Sequence, residues 1–208
     1  AVGIGGQSIL VWPAANLVVA ATGGSGGLHW KPGLFDALQS DDALPPNPAA
    51  YERLGAVIAD VREPPPPQTP YLPPTSEEVS GRLYRLEANR FGLYCFALSF
   101  DSDNPSEALI EATMDVGGTI MTAPLPVGLD GILRFTGVTL DGFDIAMEGH
   151  WANESFFSLR YFRVGGSAHT RIEADFGSDL SSVQLQIRDE TDYTPTESFG
   201  GVEVQSCF

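Results

Sequence analysis

Alternation of apolar and polar positions divides the chain into two unlike parts. From Ser80 onward, apolar and polar residues alternate in short runs that turn residues separate, the pattern of strands with one buried face. No run in this part has helical spacing. Ten short strands of this kind predict an antiparallel all-β barrel or sandwich, lipocalin-like in type. The predicted strands are 81–88, 92–100, 107–115, 118–124, 131–138, 142–150, 155–163, 168–176, 180–188 and 198–206.

The first part of the chain has a different pattern. Residues 7–12 and 16–22 are nearly continuous apolar runs on either side of a proline turn, which predicts a β-hairpin covered on both faces. A hairpin alone cannot bury such strands and needs a larger sheet. A short helix is predicted over 32–40 and a longer one over 48–61, with Asn47 as its N-cap. This part is therefore expected to be an α+β fragment.

A proline-rich stretch joins the two parts. Ten of the sixteen prolines lie between Pro45 and Pro74, and residues 62–74 have no hydrophobic periodicity. Such a stretch is typical of an extended linker. The prediction is thus a remnant of a larger domain over 1–62, a linker over 63–79 and an antiparallel β-domain over 80–208.

Charge and composition narrow the possible partners. The chain has 11 basic and 27 acidic residues, a net charge of −16, which argues against nucleic acid and anionic membranes as partners. No run reaches the ~18 apolar residues of a membrane span, and no segment has the layout of a signal peptide. The start at Ala1 fits a processed, a trimmed or a truncated chain alike.

The two cysteines lie far apart in the sequence. Cys95 falls in an apolar, strand-like run and Cys207 is the penultimate residue. A disulfide between them would tie the tail onto the sheet and would suit an extracytoplasmic or secreted protein. Two free thiols remain an alternative, because pairing cannot be read from sequence. The Cys and His residues have no metal-binding spacing, and we expect neither a metal nor a cofactor.

The stretch 3–24, GIGGQSILVWPAANLVVAATGG, carries a glycine-rich start, an apolar run, a proline turn and a second apolar run. It resembles the strand pair of the third conserved box in beta-lactamase-related serine hydrolases, the class C beta-lactamase and penicillin-binding-protein-like superfamily. The resemblance implies that Gly3, Gly5, Gly6 and Gln7 form the substrate wall and part of the oxyanion site. Glycines there let the substrate backbone approach closely, and a backbone N–H helps bind the oxyanion.

The resemblance extends less specifically into the second part. Many of these hydrolases carry an appended β-domain that opens with a Gly-x-x-Tyr-x-x-x-x-Asn run, matched here by Gly81, Tyr84 and Asn89. The nucleophile box Ser-x-x-Lys, in contrast, is absent. The sole lysine is Lys31, and Leu28 stands three residues before it.

The chain is therefore predicted to be the C-terminal fragment of a serine hydrolase for acyl transfer, inactive by itself. Its partners would be the small-molecule or peptide substrate of the parent enzyme and the missing N-terminal catalytic part. Without its sheet partners, the hairpin is expected to be poorly packed, oligomeric or docked on the β-domain.

Two alternatives remain open. The first is a non-catalytic, exported, lipocalin-like β-barrel that serves as a binding module. The second is a small α/β-hydrolase whose nucleophile is Ser25, because residues 23–27 satisfy Gly-x-Ser-x-Gly. His29, His150 and His169 are then the candidates for the triad histidine, although the all-β remainder lacks the βα units that this fold needs.

Overall fold

The computed structural model describes residues 7–21, 31–38, 40, 45–63, 65–140, 142–166, 169–190 and 195–208. The chain forms two compact units, Ala1–Pro66 and Pro67–Phe208. The boundary between them falls inside the stretch 63–79 that the sequence predicts as a linker.

The first unit contains the predicted hairpin. Strands β1 (Ser8–Trp12) and β2 (Leu17–Ala21) pair antiparallel, and a 3₁₀ turn over Pro13–Ala15 joins them. Asn16 closes the turn with a φ of 48°, a left-handed conformation that asparagine tolerates better than most residues. The prediction of a proline-turned hairpin is confirmed.

Two helices follow in this unit, α1 (Lys31–Ala37) and α2 (Pro48–Arg62). The Asn47 side chain accepts a hydrogen bond from the backbone N–H of Ala50 at 3.0 Å, and Pro48 occupies the first turn. No residue of α2 is buried. Its apolar stripe is exposed along its whole length, at Tyr51, Leu54, Val57, Ile58 and Val61.

The second unit is built mainly of antiparallel strands. It begins with a short helix, α3 (Pro74–Val79). The strands are β3 (Leu83–Leu86), β4 (Leu93–Phe100), β5 (Glu107–Val116), β6 (Thr119–Gly128), β7 (Arg134–Leu140), β8 (Phe143–Trp151), β9 (Phe156–Arg163), β10 (His169–Phe176), β11 (Ser182–Asp189) and β12 (Glu197–Val204).

These strands form one ten-stranded sheet that closes on itself. From β3 to β6 and from β7 to β12, each strand pairs with the next one along the chain, and β12 returns to pair with β3. The remaining gap is joined by a parallel pairing of β6 with β8, at Gly128 and Glu148. The result is a closed up-and-down barrel, one of the two forms, barrel or sandwich, that the period-two pattern predicts.

Helix α3 differs from the sequence prediction, which placed residues 74–79 in the extended linker. Pro74 occupies the first turn of the helix, where its missing N–H costs nothing. Val79 and Ser76 are buried, and Ser76 donates to the carbonyl of Pro73 at 2.7 Å. A six-residue helix is too short to show a helical period, so hydrophobic periodicity does not predict it.

Strand β6 also runs further than predicted, to Gly128 instead of residue 124. Pro124 and Pro126 lie in this part of the strand, although proline cannot donate to a ladder and is confined to edges and bulges. Here they pair with β5 on one side, and β8 reaches the other side of β6 only at Gly128. Beside that open side, the missing N–H groups break no pairing.

A disulfide joins Cys95 of β4 to Cys207, which follows β12, with the two Cα atoms 5.9 Å apart. The strand between β4 and β12 is β3, so the chain's tail crosses the outside of β3. Arg85 of β3 donates to the carbonyl of Ser206 at 2.8 Å, and the rings of Tyr94 and Phe208 meet at 5.7 Å. The tail is thereby fastened over the strand that closes the barrel.

Replacing both cysteines, Cys95→Ala with Cys207→Ala, is expected to lower the free energy of unfolding by about 2–4 kcal/mol. The bond spans 112 residues, and releasing so long a loop raises the entropy of the unfolded chain. Urea unfolding followed by fluorescence measures the effect. Dithiothreitol should shift the midpoint of the native chain and leave the double variant unchanged. Equal midpoints for both oxidised proteins would contradict this role of the bond.

Candidate functional site

The barrel encloses a cavity of about 510 Å³. This volume lies within the roughly 300–1,000 Å³ of small-molecule sites. Its wall is formed by side chains of strands β4 to β11 and of the β3–β4 loop, and these are mostly aliphatic or aromatic. Representative members are Phe96, Leu98, Ile110, Leu125, Met147 and Leu159.

Small inward residues account for part of this space. Ala112 of β5 and Ala123 of β6 are direct cross-strand partners, and both line the cavity. Ala174 of β10 lines it as well. Barrels of about eight strands are just wide enough for side chains to fill or for one small ligand, and this ten-stranded sheet encloses more room. Alanines at these positions leave that room empty.

One end of the barrel is closed by aromatic rings. The indole of Trp151 lies 5.7 Å from the ring of Phe100, 5.4 Å from Phe157 and 5.7 Å from Phe176. The ring of Tyr84 lies 5.7 Å from Phe176. All five rings belong to the same core cluster as Val79 of α3, which lies at this end. The aromatic floor, as we call these five rings, seals the cavity from below.

Tyr84 also fixes the neighbouring turn between β10 and β11. Its hydroxyl donates to the carbonyl of Leu180 at 2.9 Å, and Leu180 has a φ of 58°, in the left-handed region. Burial raises the pKa of Tyr84 to about 12. The charge of Arg82 opposes this rise, while Glu203 and Asp179 add to it. The phenol therefore stays protonated and keeps its donor role well into alkaline solution.

The opposite end of the barrel is the mouth of the cavity. The charged residues of the wall are found here, namely Arg90 in the β3–β4 loop, Asp115 near the end of β5 and Arg163 at the end of β9. From Arg163 down to Phe157 of the floor, β9 runs six residues, or about 20 Å. The cavity is thus elongated, with a polar rim above an apolar body.

All three rim charges have interactions within the protein, and the partners of Arg90 and Asp115 are as follows. The Nε of Arg90 lies 2.7 Å from a carboxylate oxygen of Glu197, and its guanidinium lies 5.0 Å from the ring centre of Phe91. Asp115 accepts a hydrogen bond from the backbone N–H of Gly118 at 2.6 Å. These contacts reduce the charge that the rim offers to a ligand.

Asn89 holds the loop that carries Arg90 and Phe91. Its amide nitrogen donates to the carbonyls of Glu87 at 2.9 Å and Leu93 at 2.8 Å. Its amide oxygen accepts from the N–H groups of Phe91 at 3.1 Å and Leu93 at 3.2 Å. Asn89 therefore shapes this side of the mouth. With Tyr84 at the floor and Gly81 at a φ of +76°, the Gly-x-x-Tyr-x-x-x-x-Asn run has structural roles in the barrel.

Most of the hydrolase-site residues expected from the sequence fall outside the described part of the chain. Gly3, Gly5, Gly6 and Ser25 lie outside the described residues, as does His29. Gln7 is described and is exposed just before β1.

The other two candidate histidines lie on the barrel, but far apart. His150 is exposed near the floor end of β8, whereas His169 lies at the mouth end of β10. The imidazole of His169 stacks on Phe162 and contacts Glu190 at 3.1 Å. The two are therefore not part of one catalytic group. Across the described part of the chain, no group of three or more His, Cys, Asp or Glu is placed to hold a metal ion.

The fold and cavity define a closed up-and-down barrel with one open end. No helix among the described residues is long and apolar enough to cross a membrane.

No family model matches the chain, and no curated protein matches it. Among solved structures, the chain is similar to the crystal structure of secretory abundant heat soluble protein 4 from Ramazzottius varieornatus. The two are 8% identical, with a TM-score of 0.38, over 74% of this chain and 86% of that chain. A likeness of this degree carries no information on function.

Raising the pH above 10 is expected to destabilise the barrel through Tyr84. The folded-state pKa of about 12 exceeds the ordinary value of 10.0, so the folded state holds its proton longer than the unfolded state does. Stability is then fully present below pH 10 and falls as the pH rises towards 12, by about 3 kcal/mol in total.

Urea unfolding at pH 8, 10 and 11.5 measures this loss. Tyr84→Phe should be less stable at pH 8, because the Leu180 carbonyl loses its donor, but its stability should fall less between pH 10 and 11.5. Tyr71→Phe, at an exposed tyrosine, is the matched control and should follow the native curve. Parallel curves for the native chain and Tyr84→Phe would show that this phenol is not responsible.

Proposed function

We propose that the barrel binds a small apolar molecule inside its cavity. The observation that carries this proposal is an apolar chamber of about 510 Å³, closed at the floor and open at the mouth. Protein interiors are normally filled to crystal-like density, so a chamber of this size is unusual without an occupant. An apolar wall also offers water few hydrogen-bond partners, which favours a hydrophobic occupant.

The shape of the chamber favours one orientation of the ligand. The apolar body of the molecule would rest towards the aromatic floor, and any polar end would lie at the rim near Arg90, Asp115 and Arg163. A ligand buried in this way gains roughly 25 cal/mol for each Å² of apolar surface removed from water.

Filling the chamber should weaken binding. In Ala123→Phe, the added ring would occupy the space between β5 and β6 that Ala112 and Ala123 leave open. Anilinonaphthalene sulfonate should fluoresce with the native chain and be displaced by dodecanol. The variant should bind at least about tenfold more weakly, a change of about 1.4 kcal/mol.

Ala152→Phe is the matched control, because it makes the same change at an exposed turn beyond the floor. It should bind the dye as the native chain does. Thermal unfolding shows whether each variant is folded, and Ala112→Met offers a milder filling of the same space. If folded Ala123→Phe and Ala112→Met both bind like the native chain, the dye lies elsewhere and the proposal is wrong.

A second candidate function concerns the first unit, and we propose that it is the C-terminal piece of a beta-lactamase-related serine hydrolase domain. This proposal is supported by apolar side chains that the first unit leaves exposed. In the hairpin, Ile9, Val11 and Val18 are 53%, 60% and 66% exposed, and the apolar stripe of α2 is exposed too. Apolar surface in such amounts usually marks a face that another element covers. The Cys95–Cys207 bond favours export of the whole protein.

The hydrolase proposal predicts that this chain alone does not react with a fluorophosphonate probe. Upstream coding sequence in the same reading frame should contain Ser-x-x-Lys, and the longer product should be labelled at that serine. Labelling of the present chain that disappears in Ser25→Ala would instead establish Ser25 as a nucleophile. A reading frame without Ser-x-x-Lys would exclude the hydrolase proposal.

A further inference from the structure

We infer that the cavity accepts apolar molecules of different outline, both flexible chains and flat rings, and that its methionines provide this breadth. The inference rests on the proposed binding function and concerns which ligands the same cavity takes. It is drawn from the kind of side chain that forms the upper wall.

All three methionines of the chain line the cavity. Met114 lies on β5, Met121 on β6 and Met147 on β8. About one residue in eight of the chain contributes to this wall, so a chance placement of all three there would be rare. Their common position calls for an explanation in terms of the cavity.

Packing alone does not explain them. Met147 is 4% exposed, but Met121 is 48% exposed, so it is not filling a gap in a sealed core. Met114 and Met121 are direct cross-strand partners in the half of β5 and β6 nearest the mouth. Two long, flexible thioethers therefore stand side by side where a ligand would enter.

Methionine suits a wall that must change shape. It is unbranched, has three rotatable side-chain bonds and contacts aromatic rings favourably through its sulfur. Branched side chains such as isoleucine are stiff by comparison. The floor is built of rings in mutual contact, so the adaptable part of the cavity is its upper wall.

Few polar groups of the wall could select one ligand by hydrogen bonding. Among the described lining residues, the hydroxyl groups are those of Thr139 and Tyr161, and Thr139 donates to Asp144 at 3.2 Å. The charged lining residues Arg90, Asp115 and Arg163 all have interactions within the protein. An apolar pocket without dedicated donors and acceptors separates ligands that differ by one methylene by only about 10–200-fold.

The test compares three uncharged ligands of unlike shape, namely dodecanol, farnesol and phenanthrene. Calorimetry should give the native chain dissociation constants within about tenfold of one another. The triple variant Met114→Ile, Met121→Ile, Met147→Ile keeps side-chain size but stiffens the wall. We expect it to bind one ligand about as well as before and at least one other tenfold or more weakly.

The single variant Met121→Ile should fold even if the triple variant does not, because the side chain at position 121 is half exposed. Like the triple variant, it should increase the differences between the dissociation constants of the three ligands. Leu109→Ile, on the outer face of β5, is the matched control and should change nothing.

Two results would overturn the inference. One is a native chain that binds a single ligand more than a hundredfold better than the other two. The other is a folded triple variant with the native spread of affinities. A native chain that binds none of the three ligands would instead contradict the proposed function itself. So would a folded Ala123→Phe variant that binds all three as tightly as the native chain does.

Discussion

The structure of the second unit depends on one short strand. Strand β3 has four residues, and it pairs with β12 on one side and with β4 on the other. Without it the sheet would expose the edges of β4 and β12, and no interior would exist. Both faces of β3 are secured, since Tyr84 anchors the inner face through the carbonyl of Leu180 and the Cys95–Cys207 bond crosses the outer face.

Once the barrel is closed, the sizes of the inward side chains along each strand decide where it is filled and where it is hollow. On β10, the inward residues from floor to mouth are Phe176, Ala174 and Ile172. On β8, Trp151 stands at the floor and Met147 higher up. Large rings gather at one end and smaller or more flexible side chains follow. A closed floor and an open chamber therefore arise from the same strands, without any added lid or domain.

Much of this fold could be predicted from local patterns. Apolar and polar residues alternate in a strand with one buried face, and a capping residue such as Asn47 marks the start of a helix. The alternation predicts an antiparallel barrel or sandwich, and the proline turn predicts the hairpin. Alternation predicts that Ala112 and Ala123 face the interior. It does not predict the register of β5 and β6, and this register makes the two alanines neighbours and leaves a space between them. Pairing of Cys95 with Cys207 is equally non-local. The cavity was therefore beyond local reasoning, although inward alanines among larger residues were its sign in the sequence.

The two units differ in how completely each buries its own apolar side chains. In the barrel the open edges are those of β6, where two prolines discourage pairing, and of β7, which pairs only with β8. Its large apolar residues form one continuous core. Alternating apolar residues of the hairpin and the apolar stripe of α2 are exposed to solvent. A unit that closes its own core can carry a function by itself, whereas one that exposes its apolar positions needs a partner to complete it. This contrast is the reason why the binding proposal concerns the barrel alone, whereas the hydrolase proposal for the first unit requires further structure.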